Sequence, residues 1–283
     1  MVFAICQIYG TRPPLDNLRE SLTFGMTSTP PSTPEGSVQT SITDGVGTVS
    51  FHHPKGNSLP GTLLNELAGA VRELGEDSAA RVIVMRSEGT GPFCAGASFD
   101  ELVAIQDLDS GQQFFSGFAK VILAMIRAPK FVLTRVHGKT AGGGVGLVAA
   151  SDYSLAVKTA SAKLSELAVG IGPFVVGPVI EKKIGLAAFS AMTVDADWRD
   201  AAWCERQALY SRVFDDLAAL DAGVDALAKT LAASNPEAME LLKQVFWEGT
   251  RSWDTLLNTR AGMSGRLVLS DFTRNAIGSF KAK

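Results

Sequence analysis

Two short glycine-bearing segments carry the most suggestive chemistry in this chain: Phe93-Cys94-Ala95-Gly96-Ala97-Ser98 and His137-Gly138-Lys139-Thr140-Ala141-Gly142-Gly143-Gly144. Each follows an apolar run that reads as a buried strand, and the second leads into an apolar, helix-like segment, Val145 to Ala150. Glycine lets a ligand approach the main chain closely. The first turn of a helix offers unpaired N–H groups and the positive end of the helix dipole. Two such N–H groups aimed at one point would stabilise an oxygen that gains negative charge during a reaction. A thioester carbonyl turning into an enolate fits that need, with the N–H of Ala97 and the N–H of Gly143 as donors. Taken singly, either segment has a plainer reading, tight packing of helix on strand; the two together in this context favour the anion pair. A nucleotide phosphate loop is disfavoured, because no Gly-x-Gly-x-x-Gly occurs and no Lys-Ser/Thr follows the triple glycine Gly142–Gly144.

Proton transfer needs a further group. Glu166 stands alone as a carboxylate in the apolar stretch from Leu164 to Ile180. Desolvation there would raise its pKa toward a catalytically useful value. A helix cap or a buried ion pair explains the same position equally well. Asp100 and Glu101 suit the start of a helix, and Asp152, just before a strand, suits a structural hydrogen bond. Cys94, flanked by apolar residues, reads as an inert buried thiol, and His137 as a core or loop histidine. The absence of Gly-x-Ser-x-Gly argues against a serine triad.

The bulk numbers narrow the partners. The 283 residues are 46% hydrophobic and 19% charged, with a net charge of −3. Nothing in that balance points to nucleic acid or an anionic membrane. The three cysteines, Cys6, Cys94 and Cys204, and three histidines, His52, His53 and His137, show no disulfide framework and no metal-ligand spacing, so no metal is expected. No apolar run approaches the roughly 18 residues a transmembrane helix needs. A cytoplasmic location is the expectation.

The elements that must position these residues are legible in outline. Residues 1–36 include a polar, proline-rich leader, Thr27 to Gly36, expected to be disordered, with Met26 as an alternative start. Strands are expected at Ser37–Ile42 and Val46–Phe51, joined by a hairpin at Asp44-Gly45. Ser58 opens a helix with Leu63, Leu67, Val71 and Leu74 on one face. Strands at Val82–Met85, Lys130–Val136 and Tyr153–Val157 alternate with helices at Asp100–Leu108, Gln112–Ile126 and Val145–Ala150. That alternation implies an α/β fold with a mostly parallel sheet. Beyond Phe214 the chain reads as all-helical. Leu217, Leu220, Val224, Leu227 and Leu231 form one seam, and Asn235-Pro236 caps the next helix. No repeat of period ~20–50 is visible. The expected organisation is a leader at 1–36, a core at 37–214 and a helical region at 215–283.

The stretch from about Gly45 to Phe214 resembles the enoyl-CoA hydratase/isomerase (crotonase) superfamily. The pieces that carry the resemblance are His53-Pro54 through Asn57-Ser58-Leu59, Arg81 to Met85, Phe93 to Ala97, Gly138 to Gly144, and Ser165-Glu166 through Gly170. The resemblance implies a core of repeated β-β-α turns, C-terminal helices that build a homotrimer, and often a hexamer. It implies an acyl-CoA thioester as substrate, with coenzyme A part of that substrate and no separate cofactor. The thioester oxygen would be held by Ala97 and Gly143. Ala97-Ser98-Phe99-Asp100 would line the acyl-CoA site, Lys55 and Leu59 would contact the nucleotide or pantetheine, and Glu166 would be catalytic. The acyl pocket would be shaped by residues 106–118 and 171–176.

One departure is informative. Typical hydratases of the family hold water between two glutamates; the first of those positions is Gly146 here, and Glu166 matches the second. Ser98 also replaces the usual aspartate. The run Gly142 to Leu147, with Ser165-Glu166 and Pro178, looks more like bacterial methylglutaconyl-CoA hydratase-type members. The leading expectation is reversible hydration of a 2-enoyl-CoA, branched or carboxylated. Its alternatives are a single-glutamate isomerase, an acyl-CoA hydrolase or decarboxylase, and a non-catalytic acyl-CoA-binding subunit.

Overall fold

The computed structural model describes residues 36–281. The expected leader, apart from Gly36, lies outside the described residues, as do Cys6 and Met26. The first strands, β1 (Ser37–Thr43) and β2 (Val46–His52), pair antiparallel with Thr43 opposite Val46. Asp44 and Gly45 both adopt positive φ, 50° and 80°, as a two-residue hairpin turn requires if its twist is to match the strands.

Helix α1 (Gly61–Glu76) starts after Pro60, later than the Ser58 start that the sequence suggested. Ser58 stays in the loop, where its Oγ lies 2.9 Å from His53 Nδ1. Leu63, Leu67, Val71 and Leu74 are buried along one face as their spacing required. After β3 (Val82–Ser87), the expected helix at 100–108 divides into α2 (Phe99–Ala104) and the start of α3 (Leu108–Arg127). The break has a local cause: Asp107 takes extended backbone and accepts from the Ser110 N–H at 2.8 Å, capping α3.

The chain continues through β4 (Val132–Val136), β5 (Thr140–Ala141), α4 (Gly143–Ala150), β6 (Tyr153–Val157) and β7 (Ser161–Lys163). A 3-10 turn, Leu167–Val169, precedes α5 (Gly177–Asp195), β8 (Arg199–Asp200), α6 (Ala201–Arg206) and β9 (Arg212–Phe214). A six-stranded sheet runs β1-β2-β3-β4-β6-β9, parallel throughout except for the hairpin. A second, three-stranded sheet runs β5-β7-β8. Successive turns thus give one strand to each sheet before their helix, as in β4-β5-α4 and β6-β7-α5. The result is the β-β-α repeat that the resemblance implied.

Helix α4 is apolar on every side and all eight of its residues are buried. A helix without a polar face belongs inside a core, and this one brings its first turn to the centre of the molecule.

The remaining chain forms α7 (Leu217–Ala232), α8 (Pro236–Phe246), α9 (Trp253–Val268) and α10 (Asp271–Lys281). Asn235 caps α8, accepting from the N–H groups of Glu237 and Ala238. Leu220 and Val224 bury themselves, while Leu217 at the start of the expected seam is exposed. One buried ion pair ties this region to the core. Lys243 Nζ lies 2.9 Å from Asp152 Oδ2 and donates to the carbonyls of Met125 and Lys130, both at 2.7 Å. Asp152 also accepts from the Val132 N–H at 2.7 Å and from Trp247 Nε1 at 2.8 Å. Burial pushes the Lys243 amine below its ordinary value, and the Asp152 charge opposes that shift. Among the described residues, no helix is long and apolar enough to cross a membrane.

Candidate active site

The two glycine-bearing segments lie side by side. Cys94 and Thr140 form a parallel bridge, and the Ala141 N–H donates to the Cys94 carbonyl at 2.8 Å. A Cβ on Gly96 would sit 3.0 Å from the Ala141 oxygen, so the loops touch main chain to main chain.

Among the described residues, neither the Ala97 N–H nor the Gly143 N–H has a protein acceptor. In the bridge between Leu59 and Ala97, Leu59 N–H donates to the Gly96 carbonyl at 2.8 Å and its carbonyl accepts from Ser98 N–H at 3.3 Å. That pattern turns the Ala97 N–H away from the ladder. On the other loop, Gly142 N–H donates to the Lys163 carbonyl and Val145 N–H to the Gly142 carbonyl, each at 2.9 Å. Gly143 is the first residue of α4, where an N–H has no intrahelical partner. Gly142 makes the turn into the helix at φ 51° and ψ −122°, a backbone that side chains resist. Ala97 and Gly143 both line one cavity of about 610 Å³, open mouth included.

Glu166 faces the same cavity, beside the glycine turn: its Oε1 is 3.2 Å from where a Cβ on Gly142 would stand. The residue as a whole is half-buried, but its Oε2 is sealed from solvent and has no hydrogen-bond partner. Burial pushes its pKa from 4.5 up to about 7, against a smaller pull from the neighbouring backbone N–H groups of Glu166 and Ser165. Neither plain alternative from the sequence describes this geometry. Glu166 precedes the 3-10 turn without a side-chain capping bond, and no ion pair holds it among the described residues.

The rest of the wall is mostly apolar, with Ser165 and Ser264 as its polar members. Phe115 and Phe118 come from α3, and Ile171 to Val176 from the segment before α5. Both fall in the stretches the sequence marked as pocket-forming. Leu102, Val169 and Ser264 also contribute; Ser264, on α9, had no signal in the sequence. Phe118 is pressed on the glycine turn, its Cε1 only 2.1 Å from where a Cβ on Gly143 would be. At the Gly146 position, Val176 Cγ1 would meet a Cβ at 2.5 Å. Val176 therefore fills the space that any side chain at position 146 would need.

Other candidates fall elsewhere. Phe99 lines the cavity, whereas Ser98, Asp100, Lys55 and Leu59 do not. Ser98 caps α2, accepting from the Glu101 N–H. Lys55 and Asp100 form an ion pair at the surface. Leu59 is fully buried in the core. Burial pushes the Cys94 thiol up to about 12, which keeps it a thiol. His137 is buried, and its pKa is lowered first by that burial and next by Arg135.

The enoyl-CoA hydratase/isomerase family model matches residues 41–279, and the chain belongs to that family. It is 32% identical over 52% of its length to the bacillaene synthase dehydratase PksH of Bacillus subtilis, and 30% identical over 68% to the mitochondrial methylglutaconyl-CoA hydratase of Rattus norvegicus. These matches span 56% and 62% of the relatives' own lengths. The fold is similar to that of an enoyl-CoA hydratase structure from Bacillus halodurans, with a TM-score of 0.80, 17% identity, and coverage of 86% of this chain and 99% of that one.

Proposed function

We propose that this chain catalyses reversible hydration of a 2-enoyl-CoA, with Glu166 as its single acid/base and the N–H groups of Ala97 and Gly143 as its oxyanion site. The observation that carries the proposal is the meeting of a carboxyl whose Oε2 is sealed and unpartnered with two uncommitted N–H groups in one largely apolar cavity. As the oxygen of water bonds to carbon 3, its proton passes to Glu166 and the π electrons move to the thioester oxygen. The two N–H groups bear that developing charge, and one such donor is typically worth about 3 kcal/mol of barrier. Return of the proton from Glu166 to carbon 2 re-forms the thioester carbonyl, so H and OH add across the double bond. A pKa of about 7 suits a group that must both take and give a proton at neutral pH.

Isomerisation is the second reading, and Val176 against Gly146 favours it. With no second carboxylate to hold water, Glu166 would take a proton from carbon 2 of a 3-enoyl thioester and return it to carbon 4. Phe99 at the cavity and Lys55 and Asp100 at the surface are proposed as the wall by which the coenzyme A portion enters, and association into trimers or hexamers is proposed from the family resemblance.

The test is product analysis with 2-enoyl and 3-enoyl thioesters. A 3-hydroxyacyl product supports hydration. A shifted double bond without added oxygen replaces it by isomerisation. Release of free coenzyme A or carbon dioxide replaces both. Binding without turnover across the panel makes the chain an acyl-CoA-binding subunit.

A further inference from the structure

We infer that this site selects acyl groups without a terminal charge and rejects acyl groups that end in a carboxylate. The inference rests on the reading of the cavity as the acyl site and narrows its substrate class. None of the described residues lining the cavity is Lys, Arg or His; its one ionisable member is Glu166. Phe99, Phe115, Phe118 and Phe174 supply four aromatic rings to the wall. Arg260 stands one helical turn before Ser264 with its Nη1 3.6 Å from where a Cβ on Gly177 would be, behind the wall residue Val176, and it is not among the residues that line the cavity. Lys139 and Lys163 place their amines over the Trp198 ring, 5.3 and 5.9 Å from its centroid.

A buried carboxylate needs a counter-charge or hydrogen bonds from the wall. Here a carboxylate would meet phenyl rings, aliphatic side chains and a second acid, with only the residues Ser165 and Ser264 to offer neutral hydroxyl groups and no cation among the described lining. Desolvation and like-charge repulsion act in the same direction. An uncharged chain of the same length loses neither hydration energy nor electrostatic energy on entry, and it gains apolar contact. The Val176 side chain, packed over Gly146, adds one more apolar group to the wall.

The experiment compares butyryl-CoA with freshly prepared succinyl-CoA, two saturated thioesters of equal carbon count with no double bond to hydrate, by calorimetric titration of the full chain. Butyryl-CoA is expected to bind at least ~30-fold more tightly, the scale of one uncompensated buried charge. Equal or tighter binding of succinyl-CoA, or binding of neither, overturns the inference. Turnover is read separately with crotonyl-CoA. Loss of the hydration proposal shows there as an unreacted thioester, while the binding ratio still decides the selectivity.

Discussion

Val176 packs on Gly146 so closely that a single added methyl group on the glycine would come within 2.5 Å of Val176 Cγ1 and 2.7 Å of its Cβ. The two residues belong to different elements, α4 and the N-terminal cap of α5. Val176 also lines the cavity, and Glu166 is the one acid among the described residues of that wall.

Gly146→Ala should therefore destabilise the protein by about 1–3 kcal/mol, the usual range for overpacking a dense core. Val176→Ala in the same chain should remove most of that penalty. A double-mutant cycle in denaturant measures the coupling; simple additivity would show that the two side chains do not compete for one space.

Glu166 makes a prediction about stability that is independent of activity. Its pKa is raised on folding from 4.5 to about 7, so the folded state binds the extra proton. The stabilising contribution is full below about pH 4.5 and is lost as pH rises through about 7. Integrated over that window the effect is of the order of 3 kcal/mol. Glu166→Gln should flatten this part of the stability profile and make the variant the more stable protein near pH 8. Equilibrium unfolding of both proteins across the range tests it.

The same carboxyl sets the rate profile. If its ionised form accepts the proton from water, kcat/KM rises with pH and levels off above about 7. A profile flat from about pH 5 to 9 would assign proton transfer to another group.

Gly143→Ala should lower both stability and rate. The new Cβ would collide with Phe118 Cε1 at 2.1 Å, and the strain falls on the turn that presents a proposed oxyanion donor. A fall in turnover of about 100-fold, the cost of losing one donor, should accompany a lower melting temperature. Steady-state kinetics and thermal unfolding of the one variant read both.

Lys243→Ala leaves Asp152 buried with its charge unpaired, an arrangement that costs about 3–5 kcal/mol. Lys243→Met with Asp152→Asn removes both charges and should cost less than the single change. The Val132 N–H and Trp247 Nε1 donate to different oxygens of Asp152, so the asparagine oxygen keeps an acceptor for one of them and the other loses its partner. Chemical denaturation of the three proteins gives the comparison.

The sequence shows what is local. Asp44-Gly45 announces its hairpin because both residues tolerate positive φ. The glycine run Gly142–Gly144 announces a helix start at a strand end, and Asp152 before β6 announces a structural carboxylate. Contacts between distant elements are silent in the sequence. Phe118 under Gly143, Val176 over Gly146 and Ser264 at the cavity wall depend on how α3, α5 and α9 cross the core, and no periodicity encodes those crossings. Gly170 is a further case: the α10 residues Phe272 and Thr273 close on it, with the Phe272 ring 2.5 Å from where a Cβ would stand. The split of the 100–108 helix was missed for a different reason. Asp107 sits among helix-tolerant residues, and its capping role depends on the backbone it adopts.

The central claim is that Glu166 moves the proton to and from carbon. Incubation of crotonyl-CoA in deuterated water, followed by proton NMR, tests it most directly. The wild-type chain is predicted to yield a 3-hydroxyacyl thioester deuterated at carbon 2, and Glu166→Gln to yield none at more than a thousandth of that rate (~10³-fold loss). Deuterated product formed by Glu166→Gln at the wild-type rate would contradict the account.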